Sequence, residues 1–155
     1  KKDLLNELEA NLVLCFTGIA HNSGQIHTKQ KQELDKSDVT NRVIEAKNLT
    51  YEMRNNLLMG RFKDFGYSMH KAWQLKKSFS EDISSSYLNE IYDNAIKNGA
   101  SGGKLLGAGG GGFFLFYTAA ESRHKLLNYL QSINLRVFPF TFQKDGLTAW
   151  TTRKN

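Results

Sequence analysis

Apolar residues fall along this chain in two rhythms, and the switches between them predict the order of elements. Leu4, Leu5 and Leu8 are spaced like a helix already in progress, so the start reads as part of a helix and the chain as a fragment. Asn11–Thr17 is a mostly apolar run closed by Gly18, a length that suits a strand buried on both faces. A polar loop, Gly18-Ile19-Ala20-His21-Asn22-Ser23-Gly24, follows, and residues 25–36 are nearly all polar with helix in part of them. Val39, Val43, Ala46, Thr50, Met53 and Leu57 then recur at steps of four and three, which predicts a helix. Phe62, Phe65, Met69, Ala72, Trp73 and Lys76 repeat the pattern after Gly60, so the two helices should pack as an antiparallel hairpin. Ser78-Phe79-Ser80-Glu81 has capping-box spacing, and Ile83, Tyr87, Ile91 and Ala95 carry a third helix to Asn98-Gly99.

Beyond Asn98 the character changes. Residues 99–117 hold eight glycines and end in the apolar run Phe113-Phe114-Leu115-Phe116-Tyr117, which reads as a loop and then a strand. Thr118-Ala119-Ala120-Glu121 again has capping-box spacing and opens a helix with apolar positions Ala120, Leu127, Leu130 and Ile133. Arg136–Phe142 alternates Val137, Pro139 and Thr141 against Phe138, Phe140 and Phe142, an edge strand in view of Pro139. Asp145-Gly146 predicts a hairpin turn into a last strand, Leu147–Thr151.

Composition narrows the class. With 155 residues, 40% hydrophobic and 23% charged, the chain suits a single domain stable without metal or disulfide. The lone Cys15, set among Leu12, Val13, Leu14 and Phe16, reads as an inert core thiol of a reducing, cytoplasmic protein. No apolar run reaches membrane-spanning length and no signal-peptide pattern precedes one, so a soluble protein without a membrane partner is expected. The formal net charge of +6 is spread out: residues 1–80 hold 13 basic and 9 acidic groups, residues 81–155 hold 8 and 6. No basic tract favours a nucleic-acid partner, whereas a phosphorylated small molecule or a solvated surface is compatible.

The chemistry-bearing segment is Gly99-Ala100-Ser101-Gly102-Gly103-Lys104-Leu105-Leu106-Gly107-Ala108-Gly109-Gly110-Gly111-Gly112. Ordering so many glycines costs conformational entropy, which points to unusual dihedrals, a tightly packed bulged hairpin, or close approach of a ligand. Successive amides in such a loop can form a concave anion site. A P-loop does not fit, because Asn98 and Leu105 stand where Gly and a hydroxyl are required. Gly107, Gly109 and Gly112 satisfy the dinucleotide-fold spacing, but a strand rather than a helix follows. Asp64-Phe65-Gly66 imitates a protein-kinase magnesium motif, yet it precedes the loop and lies in a helical pattern.

Gly102-Gly103-Lys104-Leu105-Leu106-Gly107-Ala108-Gly109-Gly110-Gly111-Gly112-Phe113 resembles the third motif of the GHMP small-molecule kinases. Phe16-Thr17-Gly18-Ile19, Tyr51-Glu52-Met53, Asp64-Phe65-Gly66 and Trp73-Gln74-Leu75-Lys76-Lys77 extend the resemblance toward the branch of heptose phosphate kinases, from Leu12 to Phe142. The resemblance implies an α+β, ferredoxin-like C-terminal domain, its antiparallel sheet packed against helices, spanning residues 1–155. It also implies a two-domain enzyme whose N-terminal ATP-binding domain, with a Gly-Leu-x-Ser-Ser phosphate loop and the catalytic carboxylate, is not in this chain. No Gly-Leu-x-Ser-Ser occurs and the single proline is Pro139, so no catalytic residue and no metal ligand is assigned here, and the domain is expected to be inactive alone.

By the same resemblance, ATP with Mg2+ is the cofactor, bound chiefly by the N-terminal domain. Gly107, Ala108, Gly109, Gly110, Gly111 and Gly112 would border it, leaving this domain positioning and charge stabilisation. Thr17, Gly18, Ser23, Ser101, Gly102 and Gly103 are the candidates for the sugar phosphate, and a homodimer is permitted. Lys104 could meet a phosphate, although its place beside Leu105 and Leu106 favours a surface or salt-bridged lysine. His21 and His27 show no base or metal spacing, and Asp64 reads as a solvated helix residue. The acceptor is expected to be a heptose phosphate, with fucose-type, galactose-type and mevalonate-type acceptors open; a non-catalytic anion-binding or assembly module is the competing class. For the kinase, Gly109→Val should lower turnover of the complete enzyme without unfolding it.

Overall fold

The computed structural model describes residues 2–20 and 37–151. Helix α1 (Lys2–Asn11) runs into β1 (Leu12–Phe16); α2 (Ser37–Leu58) and α3 (Phe62–Lys77) follow, then a 3₁₀ turn (Glu81–Ile83) and α4 (Ser86–Lys97). Strands β2 (Ala100–Leu105) and β3 (Phe113–Thr118), helix α5 (Ala120–Ser132) and β4 (Arg136–Phe138) complete the order. The strands form one antiparallel sheet in the order β2-β3-β1-β4. That is the ferredoxin-like arrangement of an α+β domain, with a helical insertion in its first crossover.

Alternation along the central strands sends side chains to two faces. Val13 and Cys15 of β1 and Phe114 and Phe116 of β3 pack with Trp73, Leu88, Ile91, Tyr92, Leu126 and Leu130 in the main core. On the opposite face Leu12 and Tyr117 join Phe62 and Met69 in a smaller cluster. The α2–α3 hairpin is antiparallel, as its stripes predict: Ser68 Oγ donates to Glu52 Oε1 at 2.8 Å, and Lys71 pairs with Glu52 at 3.6 Å. Among the described side chains of α2, Leu49 is the buried apolar one, while Val43 and Thr50 of the predicted stripe are exposed, because α3 is the element that chiefly packs against that helix.

Helix α3 lies against β2 so closely that a Cβ on Gly102 would sit 1.9 Å from the Gly66 carbonyl oxygen. A Cβ on Gly66 would sit 2.3 Å from the Tyr117 ring. These glycines let a helix cover an outer strand whose hydrogen-bonding groups would otherwise be open.

Four expectations from the sequence need correction. The glycine-rich stretch is not one loop: its first half is strand β2, since glycine lets both α3 and Phe116 approach. The third helix begins at Ser86, not at Ile83, because Ser85 caps it by accepting from the Leu88 amide at 3.3 Å, while Ser80 caps the 3₁₀ turn. Thr118 opens no helix; its hydroxyl donates to the Gly99 carbonyl at 2.8 Å, and α5 buries Leu126 and Leu130 while Ala120 and Ile133 are exposed. The final strand stops at Phe138, and residues 139–151 have no regular structure, with Leu147 and Trp150 exposed. Pro139, without an N–H, breaks the ladder there. The possible helix within residues 25–36 lies outside the described residues.

Candidate functional site

The second half of the glycine-rich segment, Leu106–Gly112, joins β2 to β3 and is fixed by three separate parts of the fold. Its base closes with Leu106 N–H donating to the Phe113 carbonyl at 2.8 Å. The end of β1 holds its far side: Thr17 N–H and Thr17 Oγ1 both donate to the Gly112 carbonyl at 2.9 Å, and Gly112 N–H donates to the Ile19 carbonyl at 2.8 Å. The 3₁₀ turn holds its middle, with Gly110 N–H donating to the Ile83 carbonyl at 2.9 Å. From α3 the Lys76 ammonium donates to the Gly107 carbonyl.

Two glycines in the loop are needed for different reasons. Gly109 has φ +122°, and a Cβ there would lie 2.9 Å from Ile83 Cα, so its backbone is both left-handed and pressed against the 3₁₀ turn. Gly107, at φ +78°, is exposed, and a Cβ added there would meet nothing within 4 Å. Gly109→Val is therefore expected to cost stability as well as turnover, because the valine would meet the Ile83 backbone.

Gly109 and Gly111 are buried, and among the described residues their amides donate to no backbone or side-chain acceptor. Backbone amides that donate to no acceptor within the fold are the ones a ligand could engage. The loop brings donors and no carboxylate, a set that suits a phosphate rather than a cation. Among the described residues no group of three or more His, Cys, Asp or Glu side chains gathers at one place.

The remaining predicted residues divide. Thr17 and Gly18 lie at the loop end of the sheet, but Thr17 is fully buried and its hydroxyl, which also accepts from Ile19 N–H at 3.3 Å, is committed to positioning the loop. Thr17→Val is expected to cost about 1–2 kcal/mol of stability in denaturant unfolding and to speed amide exchange at Gly112. Unchanged stability and exchange would remove Thr17 from the anchoring scheme. Ser101 is exposed near the far end of β2, roughly 13 Å of strand from Leu105, so the fold does not bring it to the loop. Gly102 and Gly103 are buried, and α3 and Phe116 fill the space where side chains would be. Ser23, His21 and His27 lie outside the described residues, and Asp64 is exposed on α3.

Periodicity assigns Lys76 no part beyond a helix stripe. It is half-buried, and burial, assisted by the charge of Lys104, brings its ammonium down to about 8. Helical spacing carries no sign of this, because the partner is a backbone carbonyl 31 residues away. Cys15 is the core thiol expected, fully buried, with burial pushing it up to about 12. No helix among the described residues is long and apolar enough to cross a membrane.

Comparison with known proteins agrees with this geometry. Residues 52–132, just over half of the chain, match the family model described as GHMP kinases C terminal. The chain is 33% identical over 150 residues to D-glycero-alpha-D-manno-heptose 7-phosphate kinase of Campylobacter jejuni, covering 97% of this chain and 44% of that protein. It is 27% identical over 126 residues to the bifunctional fucokinase/GDP-fucose pyrophosphorylase of Arabidopsis thaliana, covering 80% of this chain and 12% of that protein. Streptococcus pneumoniae phosphomevalonate kinase, solved with phosphomevalonate and AMPPNP, superposes with a TM-score of 0.70 at 19% identity, over 81% of this chain and 37% of that one. The chain thus spans less than half the length of the curated relatives it matches. With its ferredoxin-like sheet, its anchored glycine loop and this family match, the chain belongs to the GHMP kinases through their C-terminal domain.

Proposed function

We propose that this chain is the C-terminal, substrate-side domain of an ATP-dependent cytoplasmic kinase that phosphorylates a heptose phosphate. The observation that carries the phosphate chemistry is the pair of buried, unspent amides at Gly109 and Gly111. The choice of a heptose phosphate is supported by the 33% identity, over nearly the whole chain, to a heptose 7-phosphate kinase.

Bound ATP with Mg2+ would supply the transferable phosphoryl group, with the N-terminal domain holding most of both. This chain would contribute position and charge. Gly109 and Gly111 present backbone donors in a loop with almost no side-chain bulk, and anchors from β1, α3 and the 3₁₀ turn keep that loop from reorganising as charge develops. Rigid donors of this kind act because their orientation is set before the reaction begins. With the catalytic carboxylate expected in the N-terminal domain, this domain alone should not turn over.

The test is ATP consumption by the complete protein that carries this chain, offered D-glycero-D-manno-heptose 7-phosphate, fucose, galactose and mevalonate in parallel. Turnover that prefers the heptose phosphate, absent from the isolated 155 residues, is the expected result. Preference for fucose would move the assignment to the chemistry of the Arabidopsis relative, and no turnover with any acceptor would favour a non-catalytic anion-binding module.

A further inference from the structure

Beside the glycine loop lies a cavity of about 250 Å³ between α2, α3 and β2, with Leu49, Met53, Leu75 and Phe79 in its walls and Lys76 and Lys104 in its lining. Two cations share this space, and no carboxylate lines it. The ion pairs formed by lysines among the described residues are those of Lys63 and Lys71, which lie elsewhere on α3. The other charged groups nearby are engaged: Lys77 donates to Asn89 Oδ1 at 3.3 Å and Arg42 donates to the Ser78 carbonyl. Helix α2 brings no titratable side chain to the cavity lining.

Two half-buried lysines lining one cavity with no carboxylate in its lining repel each other and lose hydration, an arrangement that an anion would relieve. Lys76 also touches the Gly107 carbonyl, so the cavity opens beside the first residue of the glycine loop. We propose that Lys76 and Lys104 together bind a phosphate monoester: the phosphate already carried by the acceptor sugar. Held there, the sugar would lie with its other end toward Gly107–Gly112, so the pair would select a sugar phosphate over the free sugar. This deepens the kinase reading and rests on it for the identity of the ligand.

The position of Lys76 gives the site a readout of its own. Burial and the Lys104 charge together lower its ammonium to about 8, and a dianion bound between the two must raise it. The lysine side-chain resonances of the protein are followed by NMR against pH, with and without inorganic phosphate. The expected result is a saturable response to phosphate and an upward shift of the Lys76 titration, abolished in Lys104→Met. In the complete enzyme, Lys104→Met should raise KM for the sugar phosphate about tenfold while KM for ATP stays within about twofold, and Lys104→Arg should recover most of the loss. A matching rise in KM for ATP would overturn the proposal by placing the lysines on the nucleotide, and so would a Lys76 titration indifferent to phosphate. Lys104 is the position to change because its side chain makes no anchoring contact to the loop, whereas Lys76 holds the Gly107 carbonyl. If the wild-type enzyme phosphorylates no sugar phosphate, the kinase reading falls, and the phosphate titration still judges the anion site.

Discussion

Gly102→Ala is expected to destabilise the domain by at least about 3 kcal/mol, beyond the usual cost of overpacking a core. The added carbon would sit 1.9 Å from the Gly66 carbonyl oxygen and 2.8 Å from the His70 amide nitrogen, both backbone atoms of α3. No rotamer change relieves a clash between backbone and Cβ, so α3 must shift away from β2. That shift would also disturb the packing of Met69 and Trp73, which α3 inserts into the two apolar clusters. Denaturant unfolding measures the loss directly; a change under about 0.5 kcal/mol would mean that α3 does not need this close approach. The result also bears on Gly102 as a candidate for the sugar phosphate, since its glycine is accounted for by helix packing.

Gly109→Val in the complete enzyme is expected to lower kcat by about a hundredfold and to cost about 2 kcal/mol of stability. The valine would press on Ile83 Cα at 2.9 Å and on the Ile83 carbonyl at 3.0 Å, in a backbone with φ +122°. That carbonyl also accepts from Gly110 N–H, so the loop would lose its middle anchor together with its shape. Gly107→Ala is the control: open space surrounds the new carbon, and only the left-handed φ of +78° opposes it, at about 1 kcal/mol. If both substitutions reduce kcat equally, loop strain alone explains the effect, and the anchor at Ile83 is not what matters.

The legible parts of the fold were those governed by local pattern. The stripes of α3 and the runs of β1 and β3 are visible because each element buries residues at its own period, and the glycine loop is visible because few functions tolerate such a composition. Hydroxyl spacing misled at Ser78–Glu81 and Thr118–Glu121, since Ser80, Ser85 and Thr118 satisfy neighbouring backbone groups that only the folded chain defines. Strand β2 was hidden for a related reason. Ala100–Leu105 lacks bulky residues because α3 fills their space, and no reading confined to that segment can show what lies against it. The candidate site divides in the same way: composition marks Gly99–Gly112 and the family resemblance narrows it to Gly107–Gly112, whereas Lys76 and the anchoring role of Thr17 depend on contacts 31 and 95 residues apart.

Cys15 carries a practical consequence. It is the only cysteine in the sequence, it is fully buried at the centre of the sheet, and its thiol is held far from the thiolate form. Since the thiolate is what alkylating reagents attack, these 155 residues offer them no reactive thiol while folded. A cysteine introduced at an exposed position such as Ser101 would then carry a single label without any prior substitution, and reaction at Cys15 itself would mark only molecules whose sheet has opened.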